Sequence, residues 1–236
     1  MSKVNAIVTG ASRGIGSAIA IKLKERGYNV IGTSTTGKGK CEGVDKWLIA
    51  NFNTLAGIKS FIDEINNILD VGVFINNAAI NIIKPQIEVE LADIEKITNI
   101  NLYAPYLISK YIAEKMSKQG GGHIVNIASI WSVISKSNRT LYSTMKSGLA
   151  GMTRSMAVEW ADKNVIINCV SPGFVNTELT KASLNNNETE KLLNEIPMRR
   201  FAEPFEIAKL VSYLSSDENT YLTGQNIIID GGFTIV

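Results

Sequence analysis

Histidine is nearly absent from this 236-residue chain, with His123 the only one. A single imidazole cannot make a histidine-based metal site or catalytic triad, and His123 opens a strand-like run, where a structural role is expected. Cysteine is scarce as well: Cys41 and Cys169 have no metal-ligand spacing and are too few for a disulfide framework. Two reduced thiols fit a cytoplasmic protein. No apolar run reaches the length of a membrane span, and the opening "MSKVNAIVTG" has neither the long apolar region nor the cleavage site of a signal peptide. Neither charge sign is in excess: 24 basic against 22 acidic residues leave a formal net charge of +2. That balance gives no reason to expect a nucleic acid or an anionic membrane as partner. Linkers, charge blocks, low-complexity tracts and internal repeats are also missing, so residues 1–236 are expected to form one domain.

What remains is an alternation of strand-like and helix-like segments. "VNAIVTG" is a short β-branched run that leads through a glycine turn into "IGSAIAIKLKERG", where Ile15, Ile19 and Leu23 have helical spacing. "YNVIGTS", "KWLIANF", "VGVFINNAA", "HIVNIAS", "VIINCVSPG" and "QNIIIDGG" follow as strands. The fourth strand is apolar nearly throughout, as a strand covered on both faces should be. Residues 91–118 are expected to be one long helix, residues 140–161 another, and "EPFEIAKLVSYLSS" a third with Pro204 in its first turn. The segment 176–200 is polar and irregular. This order predicts an α/β fold, a Rossmann-type doubly wound parallel sheet of about seven strands with helices on both faces.

"TGASRGIG" lies between the first strand and the first helix. Gly10, Gly14 and Gly16 let the chain turn sharply and let a pyrophosphate approach the backbone at a helix N-terminus. The spacing is neither G-x-G-x-x-G nor a P-loop. An NAD site usually carries an acid at the end of the second strand to hold the ribose 2′-hydroxyl. Here that strand runs into "GTSTTGKGK", with Thr33, Ser34, Thr35, Thr36, Lys38 and Lys40, and Arg13 sits inside the glycine turn. A 2′-phosphate suits this environment, so NADP(H) is expected rather than NAD(H). A tyrosine and a lysine four apart share a helix face and can act as a proton-donating pair. Three such pairs occur, Tyr106–Lys110, Tyr111–Lys115 and Tyr142–Lys146, and spacing alone does not choose among them.

"TGASRGIG", "NNAA" after the fourth strand, Asn101 in the long helix, Ser129 after the fifth strand, "YSTMK", "PGFVNT" and the closing "DGG" occur in one order along the whole chain. Together they resemble the short-chain dehydrogenase/reductase family, and in style the bacterial 3-oxoacyl-[acyl-carrier-protein] reductases. The resemblance selects Tyr142 as acid/base, Lys146 as its partner and holder of the nicotinamide ribose, and Ser129 as the group that positions the carbonyl. It selects Asn101 over Asn99, to hold a water that relays protons from Lys146. It places Gly10, Ser12, Arg13 and Ile15 at the cofactor phosphates, and Thr35 at the adenosine ribose. Asn51 and Phe52 would flank the adenine, Asn77 and Ala78 line the ribose, and Pro172, Gly173, Val175 and Thr177 close over the nicotinamide. Trp131 and Phe174 would wall the substrate pocket, with Lys136 and Arg139 able to meet an anionic group and 176–200 serving as a lid. No metal is expected.

The implied reaction is NADPH-dependent reduction of a carbonyl to a secondary alcohol. The substrate class is 3-oxoacyl thioesters, including an acyl chain on a carrier protein. Two departures bear on this. Ala79 stands where the family usually has glycine, and "SKQGGGH" has few basic residues to hold an acidic carrier, Lys163 being one match. A sugar, polyol or other alcohol dehydrogenase is the alternative enzyme, and a non-catalytic NADP-binding sensor the alternative of another class. The family commonly forms homotetramers through the 91–118 helix.

Overall fold

A computed structural model describes residues 4–178, 180 and 185–236 of the chain. Seven parallel strands form one sheet: β1 (Asn5–Val8), β2 (Asn29–Ser34), β3 (Lys46–Ile49), β4 (Val71–Asn76), β5 (Gly122–Ile127), β6 (Val165–Pro172) and β7 (Asn226–Ile229). Their order is β3-β2-β1-β4-β5-β6-β7. The chain therefore starts in the middle and winds outward in both directions, and the order reverses between β1 and β4. A crevice opens there at the carboxyl ends of the strands, the usual ligand position in such sheets.

Both faces of the sheet are covered, and the strands show why. Ile7, Ile31, Phe74, Ile124 and Ile167 point to one face, where they pack with Phe61 of α2 (Leu55–Ile65), Ile108, Ile112 and Met116 of α4 (Ala104–Lys118), and Leu149 and Met156 of α5 (Thr140–Trp160). Their neighbours Ala6, Val8, Val30, Val73, Ile75 and Val125 point to the other face, against Ile19 and Leu23 of α1 (Gly14–Glu25) and Ile207, Val211 and Leu214 of α7 (Pro204–Leu214). With each successive side chain buried on one side or the other, the strands lose the polar alternation of a half-exposed sheet.

Two sequence expectations change. The segment 91–118 is continuous but not uniformly α-helical. α3 (Leu91–Thr98) passes into a π turn over Asn99–Tyr103 before α4 begins, and the Ala104 N–H bonds back to the Asn99 carbonyl, five residues earlier. Periodicity cannot mark a single extra residue inside an otherwise amphipathic helix. The polar segment 176–200 is not wholly irregular either, because it contains α6 (Asn186–Glu195). "NNN" suggests a loop, yet Asn185 accepts from the Glu188 N–H at 2.9 Å and the Glu188 carboxylate accepts from the Asn185 N–H at 2.9 Å. This reciprocal cap starts the helix, and Leu192 and Ile196 anchor its end in the interior. Residues 179 and 181–184 of the expected lid lie outside the described residues.

Candidate active site

The glycine turn is built for close approach. Gly10 and Gly14 have φ of 67° and 56°, values that favour glycine. A Cβ on Gly16 would lie 2.2 Å from the Gly10 carbonyl oxygen and 2.4 Å from Asn77 Nδ2. The turn is held from below: Gly10 N–H donates to Thr33 Oγ1 at 3.1 Å, and Asn77 Nδ2 donates to the Thr9 and Gly10 carbonyls at 2.9 and 3.1 Å. Thr9 Oγ1 in turn accepts from the Asn77 and Ala78 N–H groups at 2.9 and 3.0 Å. α1 begins at the turn with no side chain capping it and no acid in its first turn. Its first N–H groups thus offer a positive helix end. This cradle fits a pyrophosphate, with Ser12 and Arg13 exposed beside it and Ile15 partly buried behind.

Other residues expected at the cofactor divide. Thr35 is exposed at the end of β2, and Asn51 is exposed after β3. The Phe52 ring is turned into the core, 6% exposed and edge-on to Phe61 at 5.4 Å, so it presents no face to an adenine. The Asn77 amide NH2 is committed to the glycine turn, which makes it a brace of the cradle. Ala78 is partly buried next to Gly10. On the opposite bank Pro172 ends β6, and Gly173 packs so tightly that a Cβ there would lie 2.8 Å from Asp230 Cα. Val175 bridges to Ala202, and the Thr177 methyl lies 3.4 Å from a Cβ built on Gly14, which brings this bank over the cradle.

The residues expected to act as acid and base converge near the ends of β5 and β6. Ser129, just past β5, is buried and caps a short 3₁₀ turn over Ile130–Ser132 by accepting from the Trp131 N–H at 3.3 Å. Ser132, Ser171 and Asn226 fasten that turn in a closed triangle of hydrogen bonds at 2.9, 2.6 and 3.0 Å. Tyr142 and Lys146 come from the first two turns of α5, and Lys146 Nζ lies 5.6 Å from the centre of the Tyr142 ring. Burial pushes the Tyr142 phenol up to about 12, while the Arg139 guanidinium and the Ser129 hydroxyl pull it back down. Lys146 is 2% exposed and donates to the Ile127 carbonyl at 2.7 Å, and burial pushes its ammonium down to about 8.

Asn101 is buried inside the π turn, where Oδ1 accepts from the Ile80 N–H at 2.9 Å and Nδ2 donates to the Ile80 carbonyl at 2.8 Å. Each amide atom keeps capacity for one further bond, such as one to a water. The other two tyrosine–lysine pairs lie elsewhere. Tyr106 is half exposed. Tyr111 donates to Asn66 Oδ1, and Lys115 Nζ donates to the Asn66 carbonyl at 2.8 Å, so this pair ties α4 to the end of α2 and its lysine is not free in solvent.

Trp131 and Phe174 meet edge to face at 6.4 Å, and Phe174 also contacts Phe201 and Phe233 at 5.9 and 5.2 Å. Trp131 is 7% exposed, so it stiffens this wall more than it lines it. Three further residues, Asn76, Asn126 and Cys169, back this site without any motif to mark them. Asn76 donates to Ser109 Oγ and Asn126 Oδ1 at 2.8 and 2.7 Å, and Asn126 donates to Thr153 Oγ1 at 2.9 Å. In register, Asn76, Asn126 and Cys169 form one row across β4, β5 and β6. Burial pushes the Cys169 thiol up to about 11.

Known proteins match this arrangement. A family described as enoyl-(acyl carrier protein) reductase matches residues 10–234. The 3-oxoacyl-[acyl-carrier-protein] reductase FabG of Buchnera aphidicola subsp. Schizaphis graminum is 38% identical over 240 residues, covering 98% of each chain. Among solved structures, ElxO with NADP bound superposes with a TM-score of 0.89 at 27% identity, covering 99% of both chains. A 4-hydroxyisoleucine dehydrogenase mutant with NADH and succinate gives 0.92 at 28%, covering 98% of this chain and 99% of that one. With the match running from the glycine turn almost to the last residue, and a relative aligned over nearly its full length, the chain belongs to the short-chain dehydrogenase/reductase family of oxidoreductases.

Proposed function

We propose that the protein is an NADPH-dependent reductase of ketones, with 3-oxoacyl thioesters as its substrate class. The observation that carries the reading is the set of buried Ser129, half-buried Tyr142 and buried Lys146 at the carboxyl ends of β5 and β6, together with a glycine cradle shaped for a pyrophosphate. When bound, the nicotinamide cofactor supplies the hydride.

Every other task falls to this chain. Gly10, Ser12, Arg13, Ile15 and the first N–H groups of α1 hold the phosphates. The exposed hydroxyls and cations after β2, with Thr35 nearest the strand, receive an adenosine 2′-phosphate, and no acid stands there to hold a free 2′-hydroxyl. Ser129 donates to the substrate oxygen and fixes the carbonyl. Tyr142 keeps its proton at neutral pH, because its pKa lies near 12, and delivers it to the forming alkoxide. Lys146, positively charged below about pH 8, steadies the phenolate left behind. Asn101, fixed in the π turn by its two bonds to Ile80, holds a water that passes protons onward from Lys146.

The thioester class rests on the 3-oxoacyl-[acyl-carrier-protein] reductase relative. Solved relatives carry NADP in one case and NADH in another, so the cofactor preference rests on this chain's own residues. The test is oxidation of NADPH and of NADH by the purified protein with an acetoacetyl thioester and with a panel of ketoses. Faster turnover of the thioester with NADPH is expected. Turnover confined to ketoses would move the protein to the sugar and polyol dehydrogenases, and faster use of NADH would overturn the cofactor assignment.

A further inference from the structure

Arg139 is the N-cap of α5, yet its side chain makes no capping bond. A cation is disfavoured at that end of a helix, because it faces the positive pole of the dipole. The compensating contact is a stack on Trp131, with the guanidinium carbon 5.4 Å from the ring centre. These two effects are opposite in sign and similar in size, so helix stability does not account for the residue. No carboxylate of the described residues lies within ion-pair distance of it, although burial opposes its charge. Half-buried guanidinium groups ordinarily find an oxygen partner. Arg139 also stands three residues before Tyr142, on the same face of the helix, and Trp131 stands two residues after Ser129. The stack on Trp131 and the electrostatic pull on Tyr142 put its guanidinium beside the aromatic wall and near the phenol.

We propose that Arg139 determines specificity by donating to a second oxygen of the substrate, carried on an acyl group close to the ketone. This rests on the reductase reading above and narrows it to oxoacyl compounds. In a 3-oxoacyl compound the ketone and acyl oxygens can face the same side of the chain. Tyr142 and Ser129 take the first oxygen while Arg139 takes the second. The same chemistry is offered by a neutral thioester and by a free carboxylate.

The test compares acetoacetyl thioester, acetoacetate and 2-pentanone, which lacks the second oxygen, in the wild type, Arg139→Leu and Arg139→Lys. Arg139→Leu should lower the ratio of kcat/KM for acetoacetyl thioester over 2-pentanone by about tenfold or more. Arg139→Lys should recover part of it. A fall confined to the thioester ratio, or to the acetoacetate ratio, names the acyl group. An equal loss on all three ketones, or no loss on any, overturns the proposal. Binding is read separately, as quenching of tryptophan fluorescence by acetoacetate with NADP+ present. Loss of that quenching in Arg139→Leu supports the assignment, and identical quenching in wild type and variant, or none in either, counts against it. A wild type that reduces none of the three ketones overturns the reductase reading, while the quenching comparison still decides for or against Arg139.

Discussion

Lys146 Nζ donates to the Ile127 carbonyl at 2.7 Å, which ties the second turn of α5 to the last residue of β5. The bond keeps a buried ammonium in place, and burial lowers its pKa from 10.5 to about 8. Between those values the unfolded chain holds a proton that the folded chain has released, so stability rises with pH. Below about pH 8 both states are protonated and the cost of burying the charge is constant. The unfolding free energy of the wild type, relative to Lys146→Met, should therefore climb by about 3 kcal/mol from pH 8 to 10.5. Urea titrations at fixed pH values measure it, and a flat difference would show that the ammonium is not buried as described.

Tyr142→Phe removes only the phenolic oxygen. Turnover should drop by about 100- to 10,000-fold, the range for loss of a general acid, while the dissociation constant of NADPH stays within about threefold. Cofactor fluorescence and steady-state rates separate the two effects, and an active variant would refute the acid assignment.

The two directions of reaction should differ in their pH profiles. Reduction uses the protonated phenol, and a tyrosine whose pKa is pushed up to about 12 is protonated at neutral pH. Oxidation of the alcohol uses the phenolate. Between about pH 6 and 8, the reduction rate should be nearly flat and the oxidation rate should rise with pH. Oxidation that falls as pH rises would assign the proton transfer to another group.

Gly16→Ala should damage the cradle directly, since the new methyl carbon would sit 2.2 Å from the Gly10 carbonyl oxygen. Backbone on one side and the Asn77 amide on the other leave little room to relax. A loss of about 1–3 kcal/mol of stability is expected, together with weaker NADPH binding. Denaturant midpoints and cofactor titration measure the two, and an unaffected variant would mean that the turn is looser than its contacts imply.

Asn126→Ala breaks the polar row behind the site. Asn76 loses one of its two acceptors and keeps Ser109 Oγ, and Thr153 loses a donor but still donates to the Leu149 carbonyl, all in the interior. With two buried hydrogen bonds lost, the cost should be about 1–3 kcal/mol in all, seen in equilibrium unfolding. Asn126→Asp keeps an acceptor for Asn76 and should be the milder change in that contact.

Most of the fold could be read from the sequence because the strands are short, the central ones are apolar on both faces, and every strand except β2 is followed by a helix before the next. Asn76 and Asn126 were not legible as a pair, since a polar residue at the end of an apolar strand acquires its partner only when the register of the sheet is known. The cap of α6 was written in "NNNE" but hidden by its asparagine-rich surroundings. Tyr142 and Ser129 were legible because the order of motifs picks them out. Arg139 is legible in the sequence only as a cation near the pocket. Its stack on Trp131 and its influence on Tyr142 depend on how the 130–139 loop folds back over α5, and no spacing rule encodes that.

The π turn at Asn99–Tyr103 sets the phase of everything after it. One extra residue in the helix turns the following segment by about 100°, and Ile108, Ile112 and Met116 face the sheet in that rotated frame. Deleting a residue there would do more than move Asn101. It would swing a whole apolar stripe out of the core and bring polar neighbours in. The π turn that carries Asn101 is thereby locked to the packing of α4, so a mutation that removes one must unseat the other.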